Sequence, residues 1–177
     1  EDPRIIAGQG TTGLEIAEQS RDRKISLDAV LVCCGGGGLI SGCATVFAEE
    51  MPETDVYSVE PEGFDDTARS LAAGERLRVD PDCMSFCDAL LAPMPGELTF
   101  SINKRLLAGG LVVSDAQVSD AMRQAYDRLK LIVEPGGAVA LAAALSGVFD
   151  CRDKTVAVVC SGGNVDADTF SRVLGDS

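Results

Sequence analysis

Leu31-Val32-Cys33-Cys34-Gly35-Gly36-Gly37-Gly38-Leu39-Ile40-Ser41-Gly42 sets four consecutive glycines between two apolar runs. Strand, glycine turn and helix in that order build an anion site. Glycine carries no Cβ, so the backbone can take positive φ and come close to a ligand. The first N–H groups of the following helix have no intrahelical acceptor and lie at the positive end of its dipole. A phosphate is the usual guest at such a junction. The run fits neither G-x-x-x-x-G-K-S/T nor G-x-G-x-x-G, so it does not specify a mononucleotide or a dinucleotide. Taken alone, it also leaves open simple close packing of strand on helix.

Outward from this run, strands and helices alternate. Gly10 to Gln19 has helical periodicity, with Thr11 or Thr12 as N-cap. Ala29–Cys34 is a continuous apolar run, as expected of a strand buried on both faces. A helix is expected over Leu39–Glu50, a strand over Asp55–Glu60, and a short helix over Asp65–Ala73 closed by Gly74. Residues 75–97 read mostly as loop. A helix over Leu98–Leu107 and a strand over Gly110–Val113 follow. Ser114 with Asp115 then caps a helix through Lys130. An alanine-rich helix, Pro135–Leu145, precedes a last strand, Thr155–Cys160, and a closing helix from about Asp166. This alternation predicts a doubly wound α/β fold, a mostly parallel sheet with helices on both faces. Ligands in such sheets bind beyond the carboxyl ends of the strands. Both glycine motifs, 35–38 and 161–163, directly follow strands and are expected to line one crevice. With no repeat and no low-complexity linker, residues 1–177 are expected to form a single domain.

Composition narrows the functions. The net charge of −13, with no basic stripe, argues against a nucleic-acid partner. No stretch has the length of a membrane span and no signal peptide opens the chain, so the expected location is cytoplasmic. Seven cysteines, an odd number without C-x-x-C spacing, suit free thiols in a reducing compartment. The absence of histidine removes Ser-His-Asp and Cys-His nucleophiles and most metallohydrolase centres.

Further motifs accompany the glycine run: Ile6-Ala7-Gly8-Gln9-Gly10-Thr11, Val59-Glu60-Pro61, Ile132-Val133-Glu134-Pro135-Gly136-Gly137-Ala138, and Cys160-Ser161-Gly162-Gly163-Asn164-Val165-Asp166. In this order and spacing the chain resembles the C-terminal half of the fold-type II pyridoxal-phosphate enzymes. Among them it resembles the serine/threonine dehydratase and serine racemase group, over essentially residues 1–175. The resemblance implies the large-domain part of the tryptophan synthase beta-like fold. It also implies that Gly35, Gly36, Gly37, Gly38 and the Leu39 N–H hold the cofactor phosphate, that Ser161 meets the pyridine nitrogen, and that Glu134 lies near the ring. A neutral hydroxyl at the nitrogen does not force its protonation, which suits β-elimination. A capping role before Pro135 is the other reading of Glu134. In metal-activated members of the group, the positions of Glu60, the Phe64 carbonyl and Asp66 bind Mg²⁺ or Ca²⁺, and hard cations do take such oxygen ligands. A solvated acidic turn, with Asp65 or Asp66 as N-cap, is the alternative. Asp88-Ala89 departs from the Asp-Gly that the group carries on the cofactor's phenolic side.

The resemblance also implies a lysine that forms the Schiff base with the cofactor, in an S-x-K-x-R-type motif, and no such motif occurs here. Lys24, Lys104, Lys130 and Lys154 are the only lysines, each in a surface setting. The chain, which begins at Glu1, therefore resembles a C-terminal fragment of a longer enzyme. Its uncovered apolar surface favours a homo-oligomer, a dimer being the expected state. The expected parent activity is dehydration of L-threonine or L-serine to a 2-oxo acid and ammonia. The expected partner is thus a small amino-acid substrate, and no turnover is expected from this chain alone. A serine racemase or hydroxyaspartate dehydratase is the alternative within the family. A non-catalytic phosphate-ligand binding module is the alternative from another class.

Overall fold

The computed structural model describes residues 2–175. Four strands, β1 (Ala29–Cys33), β2 (Asp55–Pro61), β3 (Gly109–Val113) and β4 (Val156–Val158), form one sheet in the order β3-β2-β1-β4. All pairings are parallel; Leu31 lies opposite Tyr57 on one side and Val158 on the other. Every residue of β1 is buried, as its unbroken apolar run demanded. Alternate side chains serve two cores. Ala29, Leu31 and Cys33 join the cluster under α5 (Asp115–Gln124), α6 (Pro135–Leu145) and α7 (Ala167–Gly175). Val30, Val32 and Cys34 face α2 (Gly38–Glu50), whose Ile40, Cys43, Ala44 and Phe47 complete the second core. The expected doubly wound architecture is therefore present.

From β1 the chain proceeds to β2 and β3 on one side, then returns to place β4 on β1's other side. The loops after β1 and β4 part at this reversal, which is where open α/β sheets form their ligand crevice. Among the described residues, no helix is long and apolar enough to cross a membrane.

Several boundaries differ from expectation. The first helix, α1 (Pro3–Asp22), begins well before Gly10; Asp2 caps it by accepting the Arg4 N–H at 2.8 Å. Thr11 lies inside this helix, its hydroxyl donating to the Gly8 carbonyl. Gly10 and Gly13 look like helix breakers, but they face α2 at close range. A Cβ on Gly13 would sit 3.0 Å from Cys43 Cα, and one on Gly42 would sit 2.5 Å from Gly10 N and Ile6 O. Backbone-to-backbone packing thus overrides propensity here. Regular α-helix after the Ser114–Gln117 capping box ends at Gln124, where a π-helical turn, Ala125–Leu129, replaces the expected run to Lys130. The last strand, at an edge with β1 as its partner, is shorter than Thr155–Cys160. The Val159 N–H still reaches Leu31 O before the chain turns away. Residues 75–97 are irregular, as read, apart from a 3₁₀ turn at Asp88–Leu90 and the first residue of α4 (Glu97–Leu106).

Candidate functional site

The glycine loop leaves the carboxyl end of β1 and becomes the first turn of α2. Gly37, at φ 87°, is the N-cap, and no side chain caps it. An added Cβ there would lie 2.9 Å from Thr99 of α4, so both its conformation and its surroundings require glycine. Gly35 is packed on its own side, where a Cβ would come within 3.1 Å of Leu90 Cα. Gly36 and Gly38 differ: nothing lies within 4 Å of a Cβ built on either. The loop thus has a packed back and an open front. The open front, at a helix N-terminus without a side-chain cap, is the geometry of an anion cradle.

The second glycine motif arrives beside the first. The Cys33 thiol, at the end of β1, donates to Ser161 Oγ at 3.0 Å and so ties the two loops together. Gly162 and Gly163 allow the segment before α6 to press against them. The Glu134 N–H donates to Gly162 O at 3.0 Å, and a Cβ on Gly163 would sit 2.6 Å from Ile132 O. The Glu134 carboxylate occupies the space that a Cβ on Gly162 would need, and it makes no capping bond to α6. Glu134 therefore stands at the N-cap position without capping through its side chain. Burial pushes the Cys33 thiol up, the bond to Ser161 opposes this, and the nearby Cys160 and Glu134 add to the rise. Cys33 therefore remains a thiol, able to donate, at neutral pH. Ala89 packs where a Cβ on Gly136 would fall, so the Asp88-Ala89 turn borders both the glycine loop and the start of α6.

Glu60, Phe64 and Asp66 form a separate group around the end of β2. Glu60 is fully buried, and its two carboxylate oxygens accept the Thr67 and Ala68 N–H groups at 2.8 and 2.7 Å. It thereby caps α3 (Asp66–Ala73) from a neighbouring strand. Asp65, the N-cap by position, makes no capping bond and instead accepts from Arg69 Nε at 3.1 Å. Burial raises Glu60 to about 8 against its helix-terminal hydrogen bonds, and burial raises Asp66 to about 6. Asp66 Oδ2 is buried without a hydrogen-bond partner. Phe64 is buried beside them. Among the described residues no three His, Cys, Asp or Glu side chains gather at one point. A cation here would rest on two carboxylates, a carbonyl and water, a donor set that suits Mg²⁺ or Ca²⁺.

The residues behind the cradle escaped the sequence reading. Thr99 Oγ1 donates to Gly36 O at 2.9 Å, and Ser41 Oγ donates to Asn103 Oδ1 at 2.9 Å, all three side chains being buried. They lie some sixty residues apart in pairs, and no local pattern links them. The lysines are engaged elsewhere: Lys104 Nζ donates to Gly74 O, Lys130 Nζ to Asp127 O, and Lys154 Nζ lies over the Phe149 ring. Lys24 is exposed in the turn between α1 and β1.

A doubly wound sheet with a glycine cradle at its switch point, bordered by a Ser-Gly-Gly turn, defines the class of open α/β proteins built to receive an anionic ligand at the strand ends. Residues 1–162 match the model of the pyridoxal-phosphate dependent enzymes, and the chain belongs to that family. It is 40% identical over 174 residues to a serine racemase of Dictyostelium discoideum, covering 97% of this chain and 52% of the relative. It is 36% identical over 173 residues to an L-threonine ammonia-lyase of Thermotoga maritima, covering 98% and 42%. The solved structure of the processed form of threonine deaminase isoform 2 from Solanum lycopersicum superimposes with a TM-score of 0.90 at 33% identity, over 99% of this chain and 51% of that one. The chain spans about half the length of the curated relatives it matches.

Proposed function

We propose that this chain forms the cofactor-holding part of a pyridoxal-phosphate-dependent dehydratase that converts L-threonine or L-serine to a 2-oxo acid and ammonia. The observation that carries the reading is the joining of the open glycine cradle to Ser161 through Cys33 at the sheet's switch point. Gly35–Gly38 and the Leu39 N–H hold the phosphate, whose charge the α2 N-terminus favours. Because Cys33 occupies a lone pair of Ser161 Oγ, the serine's own proton is free to be donated to the pyridine nitrogen. When bound, the cofactor supplies an electron sink for negative charge at the substrate α-carbon. Glu134, beside Gly162, flanks the ring. Glu60, Asp66 and the Phe64 carbonyl hold a divalent cation, a reading supported by the orphaned Asp66 oxygen and by two buried carboxylates that a cation would neutralise.

None of the four lysines serves as the Schiff-base lysine; that group comes from outside these 177 residues. The 177-residue chain is therefore expected to bind pyridoxal phosphate and to release no ammonia from threonine or serine. Ammonia release by the pure chain would refute the lysine assignment. Failure to bind the cofactor would refute the cradle assignment. Cofactor binding without turnover by the whole encoded protein would instead support a non-catalytic binding module.

Amino-acid racemisation is the second reading, favoured by the 40% identity to a serine racemase. Product analysis of the whole protein separates the two. The dehydratase yields pyruvate and ammonia from L-serine, whereas a racemase yields D-serine.

A further inference from the structure

The Gly37 side of the packed back of the glycine loop is made by α4, an element that no cofactor motif includes. Its Thr99 hydroxyl donates to the carbonyl of Gly36 at 2.9 Å. A trans peptide unit is planar and directs its C=O and N–H to opposite sides. Holding Gly36 O toward α4 therefore turns the N–H of the next residue, Gly37, away from α4. The loop has an open side, since nothing lies within 4 Å of a Cβ on Gly36 or Gly38. Thr99 is itself held. Ser41 Oγ, one turn into α2, donates to Asn103 Oδ1 at 2.9 Å, with Thr99 O as the other acceptor within reach of the same proton at 3.3 Å. Asn103 Nδ2 is buried without a partner and lies 3.3 Å from where a Cβ on Gly37 would stand. An unpaired amide in so dry a place is costly. It leaves a spare donor beside the loop.

We propose that Thr99 is a positioning residue for the anion cradle. It fixes the Gly36–Gly37 peptide so that the Gly37 N–H faces the phosphate, with Ser41 and Asn103 holding α4 in register behind it. The inference rests on the pyridoxal-phosphate reading and concerns residues outside its glycine motif. It makes the packing of α4 on α2, and not the glycines alone, the source of preference for a phosphorylated cofactor over an unphosphorylated one.

The test compares binding of pyridoxal phosphate with binding of pyridoxal, which lacks the phosphate, in the 177-residue chain. The ratio of the two affinities reports the cradle and is insensitive to a general loss of stability. Thr99→Val is expected to lower the ratio about tenfold, the value of one hydrogen bond to a charged group. Thr99→Ser, which keeps the hydroxyl, is expected to retain it. Ser41→Ala is expected to shift the melting temperature more than the ratio. If Thr99→Val does not fold, the same ratio in Thr99→Ala decides. A wild-type ratio near one would overturn the pyridoxal-phosphate reading, and this inference with it. A high wild-type ratio that Thr99→Val or Thr99→Ala leaves unchanged would overturn this inference alone.

Discussion

Glu60 makes the stability of this chain depend on pH in a direction opposite to that of most carboxylates. It is fully buried at the end of β2, and burial holds it at about 8 despite two backbone N–H groups from α3. In the unfolded chain it titrates at the ordinary value of about 4.5. Between these two values the folded state binds the extra proton, so the stability is fully present below pH 4.5 and is lost as pH rises toward 8. The loss from pH 5 to pH 7 is roughly 2–3 kcal/mol at one pKa unit per 1.36 kcal/mol. Asp66, raised to about 6, acts in the same direction. The lowered carboxylates, the half-buried Asp2 and the exposed Asp150 and Asp166, titrate below this window. Urea unfolding at pH 5, 6, 7 and 8, with divalent cations chelated, should show the midpoint falling as pH rises. In Glu60→Gln most of that slope should disappear, because the buried group no longer ionises. An equal slope in wild type and Glu60→Gln would show that Glu60 is already ionised in the folded chain, and the burial argument would fail.

The remaining predictions concern the cation, the cradle, the helix crossing and the serine. Mg²⁺ or Ca²⁺ should raise the melting temperature more at pH 8 than at pH 5, and Glu60→Gln should remove the effect; an equal rise at both pH values would argue against Glu60 and Asp66 as ligands. Gly36→Leu should fold with wild-type stability, since its Cβ meets open space, but should lose affinity for pyridoxal phosphate in a binding titration. Gly37→Ala should cost about 1–2 kcal/mol in urea unfolding from its left-handed backbone alone, with crowding against Thr99 in addition. Gly42→Ala should destabilise by about 1–3 kcal/mol or more, because its Cβ would press on the α1 backbone and not on a side chain that can turn. Ser161→Ala should leave the fold intact while altering the absorption spectrum of bound pyridoxal phosphate; an unchanged spectrum would place Ser161 away from the ring.

The chain's local chemistry determined much of this protein. Burial of Ala29–Cys33 on both faces follows from an uninterrupted apolar run, and the cradle follows from four glycines between a strand and a helix. Pro135 and the alanines after it place α6 with its bounds as read, because proline suits the first turn and small side chains fit a helix buried on almost every side. Tertiary structure decided what depends on contacts remote in sequence. Two glycines near the N-terminus, Gly10 and Gly13, are held in helix because α2 passes close enough to need them. The cap of α3 comes from Glu60 and not from the adjacent Asp65, because the carboxylate of a neighbouring strand reaches the free N–H groups first. The last strand is shorter than its apolar run because the chain turns away from β1 after Val159. Thr99, Ser41 and Asn103 carry no pattern in the sequence; each is an ordinary helical polar residue until α4 packs behind the loop. Periodicity and glycine placement act within a few residues, so they are written in the chain, whereas the direction of a single peptide in the cradle is set by a hydroxyl sixty-three residues away.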